Sequence, residues 1–576
     1  MSDLASSPCL IEKQQAPKNL VIHDGLLILT MVVLAACGII YQYLLSNYAG
    51  RVLGIMEHSI FAMIGVMIVS MGVGAFSAKY IKNPYSGFAW IEAAIALFGS
   101  TAILFVAGVF ALSALFPQVI SEAYGLPFSI RVQGGFFTVV ETIAFISPFL
   151  VGFILGLLIG MEIPFIARVR EDIHQARLEH NVGMIYGADY LGAGVGAAIF
   201  IIFMLNAPIH QAAVLTASVN LVFGLLFLFV YYQKIHFAGL LLAIHIVFAF
   251  ILSGLFIYGS DWEKSLEDTL YADKVIFSHN TQYQRITVTE YKTKKGLVHT
   301  LYLNGHTQFS SSDEHIYHAM LVNPAMMAAA RQENILVIGG GDGLAVRDIL
   351  KWNPKKITLL ELDRGMVDFF SKPVGTVKSH INQPLLDLNK YSLSDPKVNL
   401  IFGNAFNTVD DLIAENLKYD VIIVDLPDPS HPNLNKLYAV PFYTKLKHLL
   451  AGDGAISIQS TSPYHAKKSF LTVRKTMEKA GFLHVQQYHQ NVPSFGEWGW
   501  TIATQNGSSP KARIENFANM PFVSRWFSKE VSLAAFTFGA HFYDDYEGVE
   551  PNRLGSHLMY TLHQSAWENE NGLYVD

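Results

Sequence analysis

The densest chemical signal in the sequence is Asp425-Leu426-Pro427-Asp428-Pro429, two aspartates three residues apart in a run held by prolines. It follows Tyr419-Asp420-Val421-Ile422-Ile423-Val424, a nearly continuous apolar stretch of the kind a buried parallel strand shows. Carboxylates at the C-terminal end of such a strand stand where open α/β sheets bind their ligands. A structural turn would need only one of them. Further back, Asn334-Ile335-Leu336-Val337-Ile338 runs into Gly339-Gly340-Gly341-Asp342-Gly343 and a helical stretch over 344–351. Strand, glycine loop and helix in that order bring backbone against a ligand at a helix N-terminus. A second strand over 356–360 ends in Glu361, about 20 residues beyond the loop, where a carboxylate can accept hydrogen bonds from both hydroxyls of a ribose. The glycine spacing is not G-x-G-x-x-G, and Asp342 adds a carboxylate, so the loop suits a cationic nucleoside such as a sulfonium better than a pyrophosphate. Read as structure alone, Asp342 would be a helix N-cap. A third strand over 398–402 leads into Gly403-Asn404-Ala405-Phe406, placed to meet the edge of a nucleobase.

These residues need a scaffold. From Thr281 the pattern alternates, with Tyr283, Arg285, Thr287 and Thr289 interleaved with Gln284, Ile286, Val288 and Glu290, and Leu301-Tyr302-Leu303 follows a Lys-rich turn over 292–296. That is a β-hairpin pattern. Asn304-Gly305 supplies a second turn, and Ser311-Ser312-Asp313-Glu314 is expected to cap a helix carrying Tyr317, Met320 and Leu321. The reading is a small β-strand domain over 262–330, an α/β Rossmann-like domain over 331–505 and a C-terminal extension over 506–576. In that extension Phe522, Trp526 and Phe527 could pack on the sheet, touch a bilayer or cover the surface of a homo-oligomer.

The first half of the chain is different matter. Of 40 Lys and Arg, ten precede Gly259, and across the whole chain hydrophobic residues reach 52% against 15% charged, well below the usual quarter. After an N-terminal tail over 1–24, apolar windows long enough to cross a bilayer occur near 25–45, 59–77, 88–115, 136–161, 184–206, 211–231 and 239–258. A transmembrane bundle of about seven helices over 25–258 is expected, with the third window open to a break at Gly99-Ser100. Gly152, Gly156 and Gly160, and again Gly192 and Gly196, recur at a spacing that lets helices approach closely. Among polar residues at membrane depth, Glu92, Glu141, Glu162, Asn206, Asn220 and His245 are expected near the interfaces, and Asp189 is singled out as the intramembrane carboxylate. Cys9 and Cys37 are the two cysteines, both before the soluble half, so neither a disulfide framework nor a Cys-based metal site is available there. A net charge of −6 offers no electrostatic reason for a nucleic-acid partner.

Taken in order, Tyr283-Gln284, Asp313-Glu314 with Tyr317-His318, the 339–343 loop, Glu361 and the 425–429 run resemble the successive motifs of spermidine synthases. Pro493-Ser494-Phe495-Gly496-Glu497-Trp498-Gly499 and Asn552-Arg553-Leu554 resemble the membrane-bound branch of that family. The resemblance implies a class I methyltransferase-type fold and aminopropyl transfer from decarboxylated S-adenosylmethionine to an amine, with putrescine the first choice and spermidine the product. That donor is a co-substrate; no cofactor or metal is implied. By the same resemblance Gln284, Gly339, Gly341, Asp342, Glu361, Asn404, Ala405 and Pro432 line the donor pocket. Asp425 is the catalytic base, and Asp342, Asp428, Tyr317 and His318 lie near the acceptor amine. Two departures stand out: Asn404 replaces the usual Asp at the adenine contact, and 491–499 lacks the Tyr-Pro pairing of soluble members.

Two other functions use the same residues. A methyltransferase would share the loop and Glu361 but bind the carboxylated donor, which Asp342 disfavours. A membrane amine transporter or sensor would bind the nucleoside without turnover. The expected location is the cell membrane, multi-pass, with the catalytic domain in the cytoplasm where the donor is made. The Lys and Arg bias argues the reverse for seven spans, since Lys13, Lys18, Lys79, Lys82, Arg168, Arg170, Arg177 and Lys234 fall on one side against Arg51 and Arg131.

Overall fold

The structure is a computed structural model that describes residues 20–568 except 54–55, 124–134, 176–179, 205–206, 270, 272, 295 and 377–378. Cys9, Arg131, Arg177, Asn206 and most of the N-terminal tail, with Lys13 and Lys18, lie outside the described residues. The chain divides into two compact units, Met1–Ala272 and Asp273–Asp576.

The first unit is helical: α1 (Leu20–Leu53), α2 (Met56–Ser77), α3 (Pro84–Ala123), α4 (Phe136–Gly160), α5 (Glu162–His174), α6 (Asn181–Ile199), α7 (Ile209–Val230) and α8 (Ala238–Asp268). Among the described residues, seven segments are long and apolar enough to cross a membrane, α4 and α5 counting together. The third is continuous. Ser100 satisfies its hydroxyl on the Leu97 carbonyl at 2.9 Å, so Gly99-Ser100 does not interrupt α3. The small-residue stripes do set the packing: a Cβ on Gly160 would fall 2.0 Å from the Met71 carbonyl oxygen of α2, and one on Gly192 would fall 2.1 Å from Val32 O of α1. Asp189 is half-buried, whereas Glu92 and Glu162 are fully buried, which reverses the order of interest expected from their distance to the span ends. The register of a residue along a helix is readable from sequence, but the face it presents depends on the neighbours.

The second unit opens with an antiparallel sheet of β1 (Lys274–Asn280), β2 (Arg285–Thr293), β3 (Gly296–Leu303) and β4 (His306–Ser310) in sequential order. Asn304 and Gly305 both take positive φ, 51° and 86°, as a two-residue hairpin requires. Helix α9 (Glu314–Ala328) follows. Asp313 precedes it without capping through its side chain; that carboxylate instead accepts from the Ser494 N–H at 2.6 Å and hydroxyl at 2.9 Å. Then come β5 (Asn334–Gly339), α10 (Leu344–Leu350), β6 (Lys356–Glu361), α11 (Arg364–Ser371), a small ribbon of β7 (Gly375–Thr376) and β8 (Ser379–His380), α12 (Gln383–Asn389), β9 (Val398–Phe402) and α13 (Ala405–Ala414). β10 (Tyr419–Asp425), α14 (Val440–Leu449), β11 (Leu450–Gln459), α15 (Lys467–Lys479), β12 (His484–Val492) and β13 (Gly496–Thr504) complete the sheet. Its order is β12-β13-β11-β10-β5-β6-β9, parallel from β11 to β9 and antiparallel at β13 and β12. The chain reverses direction across the sheet between β5 and β10, so the loops after these two strands open a crevice at the C-terminal edge.

The extension adds α16 (Pro510–Asn516), α17 (Lys529–Ala534) and α18 (Leu558–Glu568), and it packs on this unit. Phe522 and Phe517 lie against Trp352 with ring centroids 5.6 and 5.7 Å away, and Phe527 is 2% exposed. Asn552, fully buried, donates to the carbonyls of Asn435 and Tyr438 at 3.0 and 3.1 Å. The extension therefore completes the core. Residues 273–576 are expected to unfold cooperatively in urea, while 273–505 should show no cooperative transition. Phe527→Ala should cost about 3 kcal/mol as a large-to-small core change, and retention of a sharp transition in 273–505 would refute this account.

Candidate active site

Strand register sets the geometry. Asp425, the last residue of β10, pairs with Gly339, the last of β5, so the Asp turn and the glycine loop leave the sheet side by side. Gly339 has φ +78° and a Cβ there would fall 2.1 Å from the Asp425 carbonyl oxygen, so only glycine fits. A Cβ on Gly341 would fall 3.0 Å from Glu361 Oε2. The loop is thus confined between Asp425 on one side and Glu361 on the other.

Each carboxyl is held from behind. The Tyr317 hydroxyl, on α9, donates to Asp425 Oδ1 at 2.7 Å, while Oδ2 turns toward Gly340. Glu361 Oε1 accepts the N–H groups of Leu362 and Asp363 at 2.7 and 3.0 Å. Asp342 is buried; its Oδ1 accepts the Leu344 N–H at 2.9 Å, so it does cap α10 in part. Asp428 Oδ1 accepts from Gln459 Nε2 at 3.0 Å, and the Tyr438 hydroxyl donates to the Pro427 carbonyl at 2.7 Å, which pins the 425–429 turn. Gln284 reaches the same edge through Asp363, whose Oδ2 accepts its amide at 3.0 Å. Asn404 spends its side-chain oxygen on the Phe406 N–H at 3.0 Å as the N-cap of α13, with Ala405 the first helical residue. Pro432 begins the 3₁₀ turn Pro432–Tyr438 beyond the Asp turn.

Charge is concentrated here. Burial pushes Asp425 up to about 6, with Asp342 adding to the rise and His318 and the Tyr317 hydroxyl opposing it. Burial likewise pushes Glu361 up to about 7 against the pull of two backbone N–H groups, and raises Asp342. His318 moves the other way from a buried imidazole. Burial pulls it down, but its hydrogen bond to Glu314 and the charges of Glu314, Asp342 and Asp425 more than offset this and hold it up to about 9. Its Nδ1–H donates to Glu314 Oε2 at 3.0 Å, and Arg347 clasps both Glu314 oxygens at 2.8 and 2.9 Å. His318 is consequently a fixed positive charge beside Asp425 rather than a group free to take up an amine.

Several of these supports have no signal in the sequence. Arg347 lies one turn into α10 with nothing to distinguish it from a surface arginine, and Asp363 and Gln459 gain their meaning from what they touch. Thr461 is a further case: a β-branched residue at φ +64°, held by its N–H on Gln459 Oε1 at 3.0 Å, with its hydroxyl 3.4 Å from Asp428 Oδ2. Behind Tyr317 stand Trp500 and Phe495, at 5.6 and 6.0 Å between centroids, and Trp498 follows at 5.2 Å from Phe495.

The arrangement has known relatives. Residues 314–515 match the Spermine/spermidine synthase domain. A polyamine aminopropyltransferase of Shewanella oneidensis is 50% identical over 552 residues, covering 96% of each chain. Polyamine aminopropyltransferase 1 of Streptomyces coelicolor is 33% identical, covering 85% of each. Among solved structures, one of spermidine synthase in complex with the transition state analogue AdoDATO aligns with 48% of this chain and 90% of its own, at 24% identity and a TM-score of 0.40. A carboxyl-lined crevice at the switch point of a Rossmann-like sheet, in a chain half identical to such an enzyme from end to end, marks a member of the polyamine aminopropyltransferase family.

Proposed function

We propose that the protein moves the aminopropyl group of decarboxylated S-adenosylmethionine to putrescine, giving spermidine and methylthioadenosine. The observation that carries this reading is the convergence of Asp342, Glu361 and Asp425 on one glycine loop, the first buried, the other two half-buried, and each raised. Carboxyls outnumber positive charges in this crevice, with His318 the one cation beside Asp425 among these residues. The donor brings two positive charges, a sulfonium and an ammonium, and the acceptor brings more. Glu361 meets the ribose, and Asp342 faces the aminopropyl ammonium, where the carboxylated donor of a methyltransferase would put a like charge instead.

The reaction is a displacement. The acceptor nitrogen attacks the propyl carbon next to sulfur, the C–S bond breaks toward sulfur, and neutral methylthioadenosine leaves. An alkylammonium has a pKa of roughly 10, so freeing its lone pair at neutral pH costs about 4 kcal/mol unless a positioned base takes the proton. Asp425 is that base, with Oδ1 tethered by Tyr317 and Oδ2 left toward the loop. The fixed charge of His318 keeps Asp425 from rising further and so keeps it ionised at neutral pH. Asp428 and the aromatic wall of Tyr317, Phe495 and Trp498 bound the acceptor side.

The helical unit anchors the enzyme in a membrane. Its outward faces carry large apolar side chains, among them Phe61 at 71% exposed, Phe203 at 71% and Phe250 at 74%, as lipid-facing helices should. The catalytic unit faces the cytoplasm, where the charged donor is made; a tag at the C-terminus should resist protease added to intact cells.

Asp425→Asn should lower turnover by roughly 100-fold or more with methylthioadenosine affinity kept within a few-fold, whereas Glu361→Gln should weaken nucleoside binding in calorimetry. Near-normal turnover by Asp425→Asn would remove the base from the scheme. The pH dependence separates charge from shape. Because Asp425 and Glu361 hold protons more tightly than ordinary carboxyls, both are neutral at low pH, and affinity for the doubly cationic donor should rise as pH goes from about 5 to about 8. Neutral methylthioadenosine should show a much flatter profile. The same raised values mean that the folded unit binds more protons than the unfolded chain across this window, so its stability without ligand should fall as pH rises through it.

A further inference from the structure

The helical unit contains its own group of buried polar side chains. Glu92 on α3 and His245 on α8 are 0% exposed; Glu162, the first residue of α5, and Asn220 on α7 are 1% exposed, as is Tyr41 on α1. These groups meet in one place. The Asn220 amide donates to Glu92 Oε2 at 3.1 Å, and the Glu92 and Glu162 carboxyls face each other within hydrogen-bonding reach. A Cβ on Gly224 would fall 3.1 Å from His245 Nε2 and 3.3 Å from Glu92 Cβ. Tyr41 stacks against Gly99, two turns along α3 from Glu92.

Counting donors against acceptors shows a deficit. Among the described residues, Glu92 Oε1, both Glu162 oxygens, Asn220 Oδ1, His245 Nε2 and the Tyr41 hydroxyl are buried without a hydrogen-bond partner. His245 Nδ1 lies 2.8 Å from the Leu241 carbonyl and must carry its hydrogen to bond there, so in the neutral ring Nε2 is a lone pair. Five of the six atoms are thus acceptors. Two carboxylates in contact, away from water, are not sustained without a positive charge between them. Space decides its size. At Gly99, where a Cβ would fall 2.4 Å from the Tyr41 ring and 2.7 Å from its oxygen, there is no room for a methyl group, and at Gly224 a methyl would fit only with a shift of its neighbours, which disfavours an alkylammonium lying across these points.

We propose that the helical unit binds a proton between Glu92 and Glu162, making this pair an intramembrane proton-binding site. The proton is carried by Glu162 and donated to Glu92 Oε1. Asn220 fixes the other Glu92 oxygen. The titratable groups nearest the pair are Cys37 and Tyr41 from α1 and Asp189 from α6, with His245 of α8 on the far side of Gly224 from Glu92 Cβ. This goes beyond aminopropyl transfer, and its failure would leave that reaction untouched.

The test is infrared spectroscopy of the full-length protein in lipid vesicles at neutral pH, with the stretching band of protonated carboxyls identified by its shift in D₂O. Wild type minus Glu162→Gln should show such a band, and wild type minus Glu92→Gln should show a displaced one, while both variants keep aminopropyl transfer. Absence of a protonated-carboxyl band from both difference spectra would overturn the proposal. So would its loss at constant pH on adding Na⁺, K⁺ or putrescine, which would make the occupant a metal ion or an amine. Because either substitution could disturb packing, the wild-type protein supplies an independent readout. Addition of a protonophore-free pH jump to the vesicles should change that band with the slow kinetics of a buried group, and a band that follows pH as fast as exposed carboxyls do would also refute it.

Discussion

The contact on which the catalytic unit depends is the one between the Gly339 backbone and the Asp425 carbonyl. Two parallel strands end at the same level, and the absence of one side chain lets the loop after β5 turn across the end of β10. Any Cβ at that point would push the two strand ends apart. The loop would then lose its place between Asp425 and Glu361, and the three carboxyls would no longer share a crevice. Their raised affinities for protons are a consequence of that confinement, since burial is the first cause of each.

Behind the crevice the charges are compensated in layers. Arg347 holds Glu314, Glu314 holds His318, and His318 lends its charge to Asp425. Arg347, Glu314 and His318 are all buried, so their charges are little screened by water and each is effective over the distance to the next. The helical unit contains the opposite case. There Glu92 and Glu162 are as deeply buried but, among the described residues, no arginine or lysine is a named partner of either.

Much of the scaffold was legible from periodicity. The apolar run of β10, the glycine loop after β5 and the Asn304-Gly305 turn carry local signals strong enough to place them, and the spacing of Gly152, Gly156 and Gly160 announced a close helix pair. What could not be read was relational. Nothing in Arg347 says that it grips a carboxylate 33 residues earlier, and nothing in Thr461 says that its backbone is held at positive φ. Helix α8 continues to Asp268, past the end of the apolar window at 258, because hydrogen bonding along a helix does not stop where hydropathy does. Asp313 looked like a cap and is a clamp on Ser494; Asp189 looked like the buried acid, and two glutamates nearer the span ends are.

The bonds of Asn552 have a consequence for the order in which the protein becomes active. Asn552 holds the carbonyls of Asn435 and Tyr438, and Tyr438 in turn pins Pro427 in the aspartate turn. A ribosome makes Asp425 more than a hundred residues before it makes Asn552. During that interval the sheet can assemble, since domains fold as their residues emerge, but the turn that carries the base still lacks its anchor. A nascent chain whose sheet has formed therefore holds an unfinished crevice, which becomes rigid only once the segment around Asn552 has emerged.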